Sequence, residues 1–295
     1  PMLFCVVLMV FLIMSLTPGA PATNVLPLTT PQEVKDAFNE SVGYTGSLWD
    51  RFWNYLGGLF SGNVVSYSTG ENIFEELKTR FPMTLSFGTW AFCISAIIGV
   101  ALGILSAIKQ YSFLDTTVTI FAVLFASIPS FFVAVLLILY FSVHLGALPS
   151  FGVGTLRHYI LPVTTLVLAN IPMLSRMTRS AMLDAMSQDY IRTARAKGCS
   201  EKRVIWKHAL KNASLPIITL LLSGLATTLG GSVVVEQIFT IPGVGMYLLS
   251  AVNEKNVPVV MTCALLLSFI FMLAMVLLDI CYALIDPKIG ARYKK

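Results

Sequence analysis

Charge is scarce in this sequence. Asp, Glu, Lys and Arg make up 12% of its 295 residues and hydrophobic residues 56%, whereas a soluble domain carries roughly 25% charge. With a mean hydropathy of +0.79, lipid is the expected solvent for most of the chain. Cysteine is equally uninformative as a scaffold. Cys5, Cys93, Cys199, Cys263 and Cys281 include no Cys-x-x-Cys pair, so neither a disulfide framework nor a zinc site is implied, and packing roles suffice. His144, His158 and His208 share no ligand spacing, which argues against a metal site. No G-x-x-x-x-G-K-[ST] phosphate loop is present. No nucleophile–base spacing, internal repeat or low-complexity tract stands out. The net charge of +5 matters less than where the charges lie.

Long apolar runs are what the sequence does have. A membrane helix needs about 20 predominantly apolar residues. The runs Met2–Leu16, 81–107, 116–145, 159–174, 215–235 and Val257–Ile285 predict six spans and an all-α fold. The run 159–174 holds Pro162 and Pro172 and is expected to kink, which neighbouring helices can accommodate. Residues 1–17 read as a first transmembrane helix whose cytoplasmic start is missing. The rival is a signal peptide ending near Ala20-Pro21-Ala22, but it lacks a basic start.

Charge then orients the spans. Segments 18–80, 146–158 and 236–256 hold Lys35, Arg51, Lys78, Arg80, Arg157 and Lys255. The other fourteen of the twenty basic residues fall in 108–115, 175–214 and 286–295, which are therefore expected in the cytoplasm with both termini. The chain divides into the first helix, an external segment 18–80, and a core 81–295. Trp49, Trp53 and Tyr55 suggest an interfacial helix near 48–60, with a packed loop as the alternative.

The cytoplasmic loop 175–214 is longer than a connection requires. Met182, Met186 and Tyr190 recur at four-residue intervals with Leu183 and Ile191 beside them, predicting an amphipathic helix. Lys197 and Gly198 form its stop signal. Ser200 and Glu201 are expected to start a second short helix over 201–211, with Val204, Ile205, His208 and Trp206 as its apolar face. Such a basic element with apolar side chains suits a protein partner. A plain orientation signal or a contact with anionic lipid is the simpler alternative.

The run Asp189-Tyr190-Ile191-Arg192-Thr193-Ala194-Arg195-Ala196-Lys197-Gly198 resembles the cytoplasmic signature loop of ABC importer permeases. Ser200-Glu201-Lys202-Arg203-Val204 and His208-Ala209-Leu210-Lys211-Asn212 fit the branch that imports dipeptides, oligopeptides and nickel. The general pattern is Glu-Ala-Ala, three residues, Gly, nine residues, Ile-x-Leu-Pro. Ala194, Gly198 and Leu210 match it; its Glu and Pro are absent here, a departure common in this branch. The resemblance extends to Leu16-Thr17-Pro18-Gly19-Ala20-Pro21, Arg80-Phe81-Pro82-Met83-Thr84-Leu85 and Ser127-Ile128-Pro129-Ser130-Phe131. It also includes Val234-Val235-Glu236, Phe239, Pro242-Gly243, Gly245 and Asp286-Pro287-Lys288-Ile289.

This resemblance implies a type I permease fold in a bacterial inner membrane and a transport subunit rather than an enzyme. It implies a second, similar permease, two cytoplasmic ATPases that bind ATP and Mg²⁺, and an external substrate-binding protein. The cargo would be a dipeptide or oligopeptide, with nickel or glutathione as alternatives. A stand-alone channel or secondary transporter is the rival from another class. Coupling to the ATPases falls on Ala194, Arg195, Lys197, Gly198, Ser200, Glu201, Lys202, Arg203, Val204, Ile205, Trp206, His208 and Leu210. Glu236, Phe239, Pro242, Gly243 and Gly245 fall near the docked binding protein, or form a turn fixed by Pro242-Gly243. Ser127, Ser130, Thr164, Asn170, Thr227 and Thr228 are polar residues within spans, available to a pathway or to helix–helix contacts. Asp279 is a pathway candidate or a partner for cytoplasmic cations.

Overall fold

The computed structural model describes residues 1–16, 19–44 and 46–285. The expectations for Thr17-Pro18, for Asp286-Pro287-Lys288-Ile289 and for the basic end 286–295 lie outside the described residues. The described chain is helical, with a single isolated β-bridge between Val65 and Asn72. In order come α1 (Met2–Leu16), α2 (Pro21–Val25), α3 (Gln32–Ser41), α4 (Leu48–Ser61), α5 (Ile73–Ile108) and α6 (Phe113–Ser127). Then follow α7 (Ser130–Leu137), α8 (Leu156–Met186), α9 (Asp189–Ala196), α10 (Glu201–Arg203), α11 (Leu210–Phe239), α12 (Val244–Asn253) and α13 (Val257–Ile285). Wider π turns extend α7 over Ile138–His144 and join α10 to α11 over Val204–Ala209.

Among the described residues four helices are long and apolar enough to cross a membrane: α5, α8, the continuous Glu201–Phe239 helix and α13. The expected single span over 116–145 is two helices bent by 99°. Pro129 supplies the cause. It offers no amide hydrogen, and its ring pushes Ile128 into an extended conformation with φ −97° and ψ 123°. Counted as one broken span, the pair makes a fifth. Helix α1 has 15 residues, about 22 Å at 1.5 Å per residue, less than the roughly 30 Å hydrocarbon core. Pro162 and Pro172 do not end α8, which runs on for 31 residues to Met186.

Packing divides the chain into two compact units. One comprises Pro1–Leu85 and Thr240–Ile270, so it draws on both the expected external segment and the expected core. Its centre is built from Val7 and Phe11 of α1, Phe52 and Leu56 of α4, Ile73 and Leu77 of α5, and Val259, Val260 and Met261 of α13. Phe11 and Phe52 lie 5.1 Å apart between ring centroids. The stretch near 48–60 is helical, as α4, and is started by a reciprocal Ser47–Asp50 capping box. It turns Phe52 and Tyr55 inward and Trp49 and Trp53 outward. Asn256 is buried and ties the 66–68 loop, accepting from Tyr67 N at 3.1 Å and donating to Ser66 Oγ at 2.9 Å.

The second unit comprises Ser86–Phe239 and Phe271–Lys295. Here α8 packs most extensively on α11 and also on α6 and α7. Lipid gives little hydrophobic drive to such contacts, so close approach matters more. At Gly103 a Cβ would sit 2.6 Å from the Ser175 carbonyl oxygen and from Thr178 Cβ. Glycine there is what lets α5 meet α8 backbone to backbone.

Candidate functional site

The loop from 175 to 214 lies within the second unit and is helical almost throughout. Its first part is the end of α8. The expected stripe of Met182, Met186 and Tyr190 is therefore not one helix, because the chain breaks at Ser187-Gln188 and restarts as α9. Met182 and Ile191 are fully buried, whereas Tyr190 is exposed. The inward residues are thus offset from the predicted set by the break. Ile104, Ala107, Met182, Ile191, Ala194, Val204, Ala209 and Ala213 form one apolar cluster. Burying a side chain such as Ile191 or Met182 contributes about 1.5–3 kcal/mol.

Gly198 ends α9 as the sequence predicts, with φ +79°. The Gly198 amide donates to Arg195 O at 2.9 Å and the Cys199 amide to Ala194 O at 3.2 Å. These two bonds are the Schellman pattern, and they use carbonyls that a helix end leaves open. Nothing lies within 4 Å of a Cβ built on Gly198, so its positive φ is what demands glycine there. Across the break, Arg195 Nε donates to Glu201 Oε1 at 2.8 Å and Nη2 to Oε2 at 3.2 Å. The guanidinium holds the Glu201 carboxyl below the usual glutamate range.

Two local expectations are corrected. Ser200 begins the next helix in an extended conformation, but its side chain makes no cap hydrogen bond. The helix does not stop near 211; it continues unbroken from Glu201 to Phe239. Lys211-Asn212 carries no glycine or proline to end it, and Pro216 lies too far along to act as a stop. The apolar face is also divided. Val204 is buried against the protein's own cluster, Ile205, His208 and Leu210 are half-buried, and Trp206 is 54% exposed. Lys197, Ser200, Lys202 and Arg203 are exposed around it.

One charged contact was invisible to the sequence reading. Arg179 of α8 donates through Nε to Asp115 Oδ1 at 2.7 Å and through Nη2 to Oδ2 at 2.8 Å. Ser106 Oγ of α5 also donates to Asp115, and the Tyr111 amide does so at 2.9 Å. Asp115 is buried, and this bond set joins α5, α6 and α8 where α8 enters the 175–214 stretch. Ser112-x-x-Asp115 is a helix-start pattern, confirmed by the Asp115 amide donating to Ser112 Oγ at 3.3 Å. That signal could have flagged Asp115, but its distant partner could not be read from spacing.

The remaining candidates do not converge. Asn170 Nδ2 donates to Thr228 Oγ1 at 3.2 Å, joining α8 to α11. Ser127 and Thr227 are exposed, and their hydroxyls donate to the carbonyls of Val123 and Gly224 within their own helices. Ser130 starts α7 beside Pro129, and Thr164 is half-buried in α8. Asp279 is exposed on α13 and makes no ion pair among the described residues. Glu236 and Phe239 are fully buried, with Ser232 Oγ donating to Glu236 Oε1 at 3.0 Å. Gly243 and Gly245 are buried and Pro242 half-buried, so this segment offers little side-chain surface. No cluster of metal-ligating side chains occurs among the described residues.

A family model described as the binding-protein-dependent transport system inner membrane component matches residues 99–291. The chain is 37% identical over 295 residues to the glutathione transport system permease protein GsiC of Escherichia coli (strain K12), covering 100% of this chain and 96% of that one. It is likewise 37% identical over 298 residues to a putative peptide transport system permease protein of Brucella abortus (strain 2308), covering 98% and 95%. Among solved structures it is similar to the MetNI methionine ABC transporter in inward-facing conformations. The TM-score is 0.63 at 21% identity, over 73% of this chain and 99% of that chain. An amino acid ABC transporter gives a TM-score of 0.58 at 14% identity, over 70% and 92%.

Proposed function

The chain belongs to the family of inner membrane components of binding-protein-dependent transport systems and is a permease subunit of an ABC importer; from this premise we propose that its cargo is a peptide, glutathione included. The relatives named for peptide and glutathione transport, matched over nearly their whole length, support that cargo class. ATP and Mg²⁺ bind partner ATPases, and hydrolysis there drives transport here. A second permease completes the pathway, an external binding protein delivers the cargo, and both termini face the cytoplasm.

The observation that carries the coupling reading is the structured turn at Gly198. Its bonded carbonyls and the Arg195–Glu201 bridge fix the angle between α9 and the helix that continues into α11. Exposed Trp206, flanked by Lys202, Arg203 and Lys207, supplies an apolar anchor for an ATPase groove. Ala194 and Val204 act behind that surface by holding it to the protein's own cluster. A switch between two packed arrangements then converts ATPase closure into movement of the spans.

Gly198→Val tests this directly. A β-branched residue at φ +79° is strained, so stimulation of ATPase activity by loaded binding protein should fall several-fold in the reconstituted complex while assembly persists. Full stimulation in the variant would reject the coupling role. Co-purification checks the partners: two ATPases and a second permease are expected, and an active partner-free oligomer would overturn the reading.

A further inference from the structure

Within the first unit, α3, α4 and the 63–70 loop line an open-sided cavity of about 730 Å³. Arg51 of α4 lines it, with the guanidinium stacked 4.3 Å from the centroid of the Tyr44 ring. The Arg51 Nε is buried and has no hydrogen-bond acceptor. No Asp or Glu lines the cavity, and Arg51 makes no ion pair among the described residues. Tyr67, also in the wall, does not supply the missing negative charge. Burial pushes its hydroxyl up to about 12, although Arg51 pulls the other way, so at neutral pH it stays uncharged. Asn54 and Asn63 add carboxamides to the same wall.

Arg51 is half-buried, and its stacking on Tyr44 uses the face of the guanidinium while leaving its donors along the edge unused. Its planar fork matches a carboxylate better than any other common biological group except phosphate. From this geometry we infer that the cavity is a carboxylate-binding site, with Arg51 as the cationic anchor and Asn54 and Asn63 as neutral donors. The carboxylate comes either from a free peptide terminus or from an acidic side chain of the external binding protein.

The test uses the intact complex in lipid nanodiscs and isothermal titration calorimetry. The probes are N-acetyl-dialanine and its carboxamide, which differ only in the anion. The acid should bind saturably, and at least tenfold more tightly than the amide and than it binds to the Arg51→Gln complex. If the carboxylate instead belongs to the binding protein, the free acid is silent. Affinity for that protein then falls at least tenfold in Arg51→Gln. Arg51→Lys keeps the cation without the fork and serves where glutamine disturbs folding; an intermediate loss is expected there. Both arms use the assembled importer, and the first rests on the peptide cargo proposed above; an acid–amide contrast in a complex that transports no peptide would overturn that cargo and leave the site standing. The site is rejected if acid and amide behave alike and the Arg51 variants bind the external protein as wild type does.

Discussion

Asp115→Asn keeps the shape of the side chain and removes the charge that Arg179 and Ser106 converge on. Breaking a buried pair typically costs 3–5 kcal/mol because one charge is left without its partner. The Arg179 side chain is 26% exposed, so about 2–3 kcal/mol is expected, seen as a lower midpoint of thermal unfolding in detergent. Arg179→Lys should lose part of this, because an ammonium cannot form the two parallel bonds. An unchanged midpoint in Asp115→Asn would mean the contact carries no stability. Trp206→Ala makes the opposite kind of prediction. Trp206 contributes little to the chain's own core, so the variant should unfold like wild type. It should nonetheless bind the ATPase subunits at least tenfold more weakly, about 1.4 kcal/mol. Equal affinity would remove Trp206 from the interface.

At the scale of elements, the Arg195–Glu201 bridge spans the break between α9 and α10. Glu201 has a depressed folded pKa, so the bridge is fully formed above the ordinary glutamate value of about 4.3 and is lost as pH falls through the lower folded value. Amide-exchange protection over 197–203, corrected for intrinsic rates, should therefore fall in acid. Glu201→Gln should show the low protection already at neutral pH and lose the pH dependence. Protection in that variant equal to wild type at pH 7 would show that the Schellman bonds suffice alone. The Gly198 stop was legible because Lys197-Gly198 is written in adjacent residues, and α4 because Trp49, Trp53 and Tyr55 fall close together; the Ser47–Asp50 box that starts α4 was overlooked. The 99° bend was also written locally, in Ile128-Pro129, but the surrounding run is apolar enough to read as one span. The division of the loop's apolar face was not legible. Whether Val204 or Trp206 points inward depends on Met182 and Ile191, which come from other helices.

For the whole molecule, the distribution of cations yields a labelling prediction. In a variant lacking its five cysteines, Lys197→Cys should react with an impermeant maleimide only from the cytoplasmic side and Lys35→Cys only from the outside. Reaction of both from the same side would overturn the proposed topology. Composition made the membrane class plain, and the apolar runs made most of the helices plain. The two packing units were hidden because Thr240–Ile270 joins residues far earlier in the chain. The unbroken helix from Glu201 to Phe239 has a further consequence, one of timing. Its 39 residues extend about 58 Å, nearly twice the hydrocarbon thickness. The helix therefore passes from Trp206, the proposed contact with the ATPases, to the Asn170–Thr228 bond with no loop between them. Slack is what separates a push from its response. On the proposed coupling role, displacements at Trp206 and at Thr228 should therefore relax at one rate in a doubly labelled complex, and two separate rates would show that the wide turns over Val204–Ala209 or Pro216 yield between them.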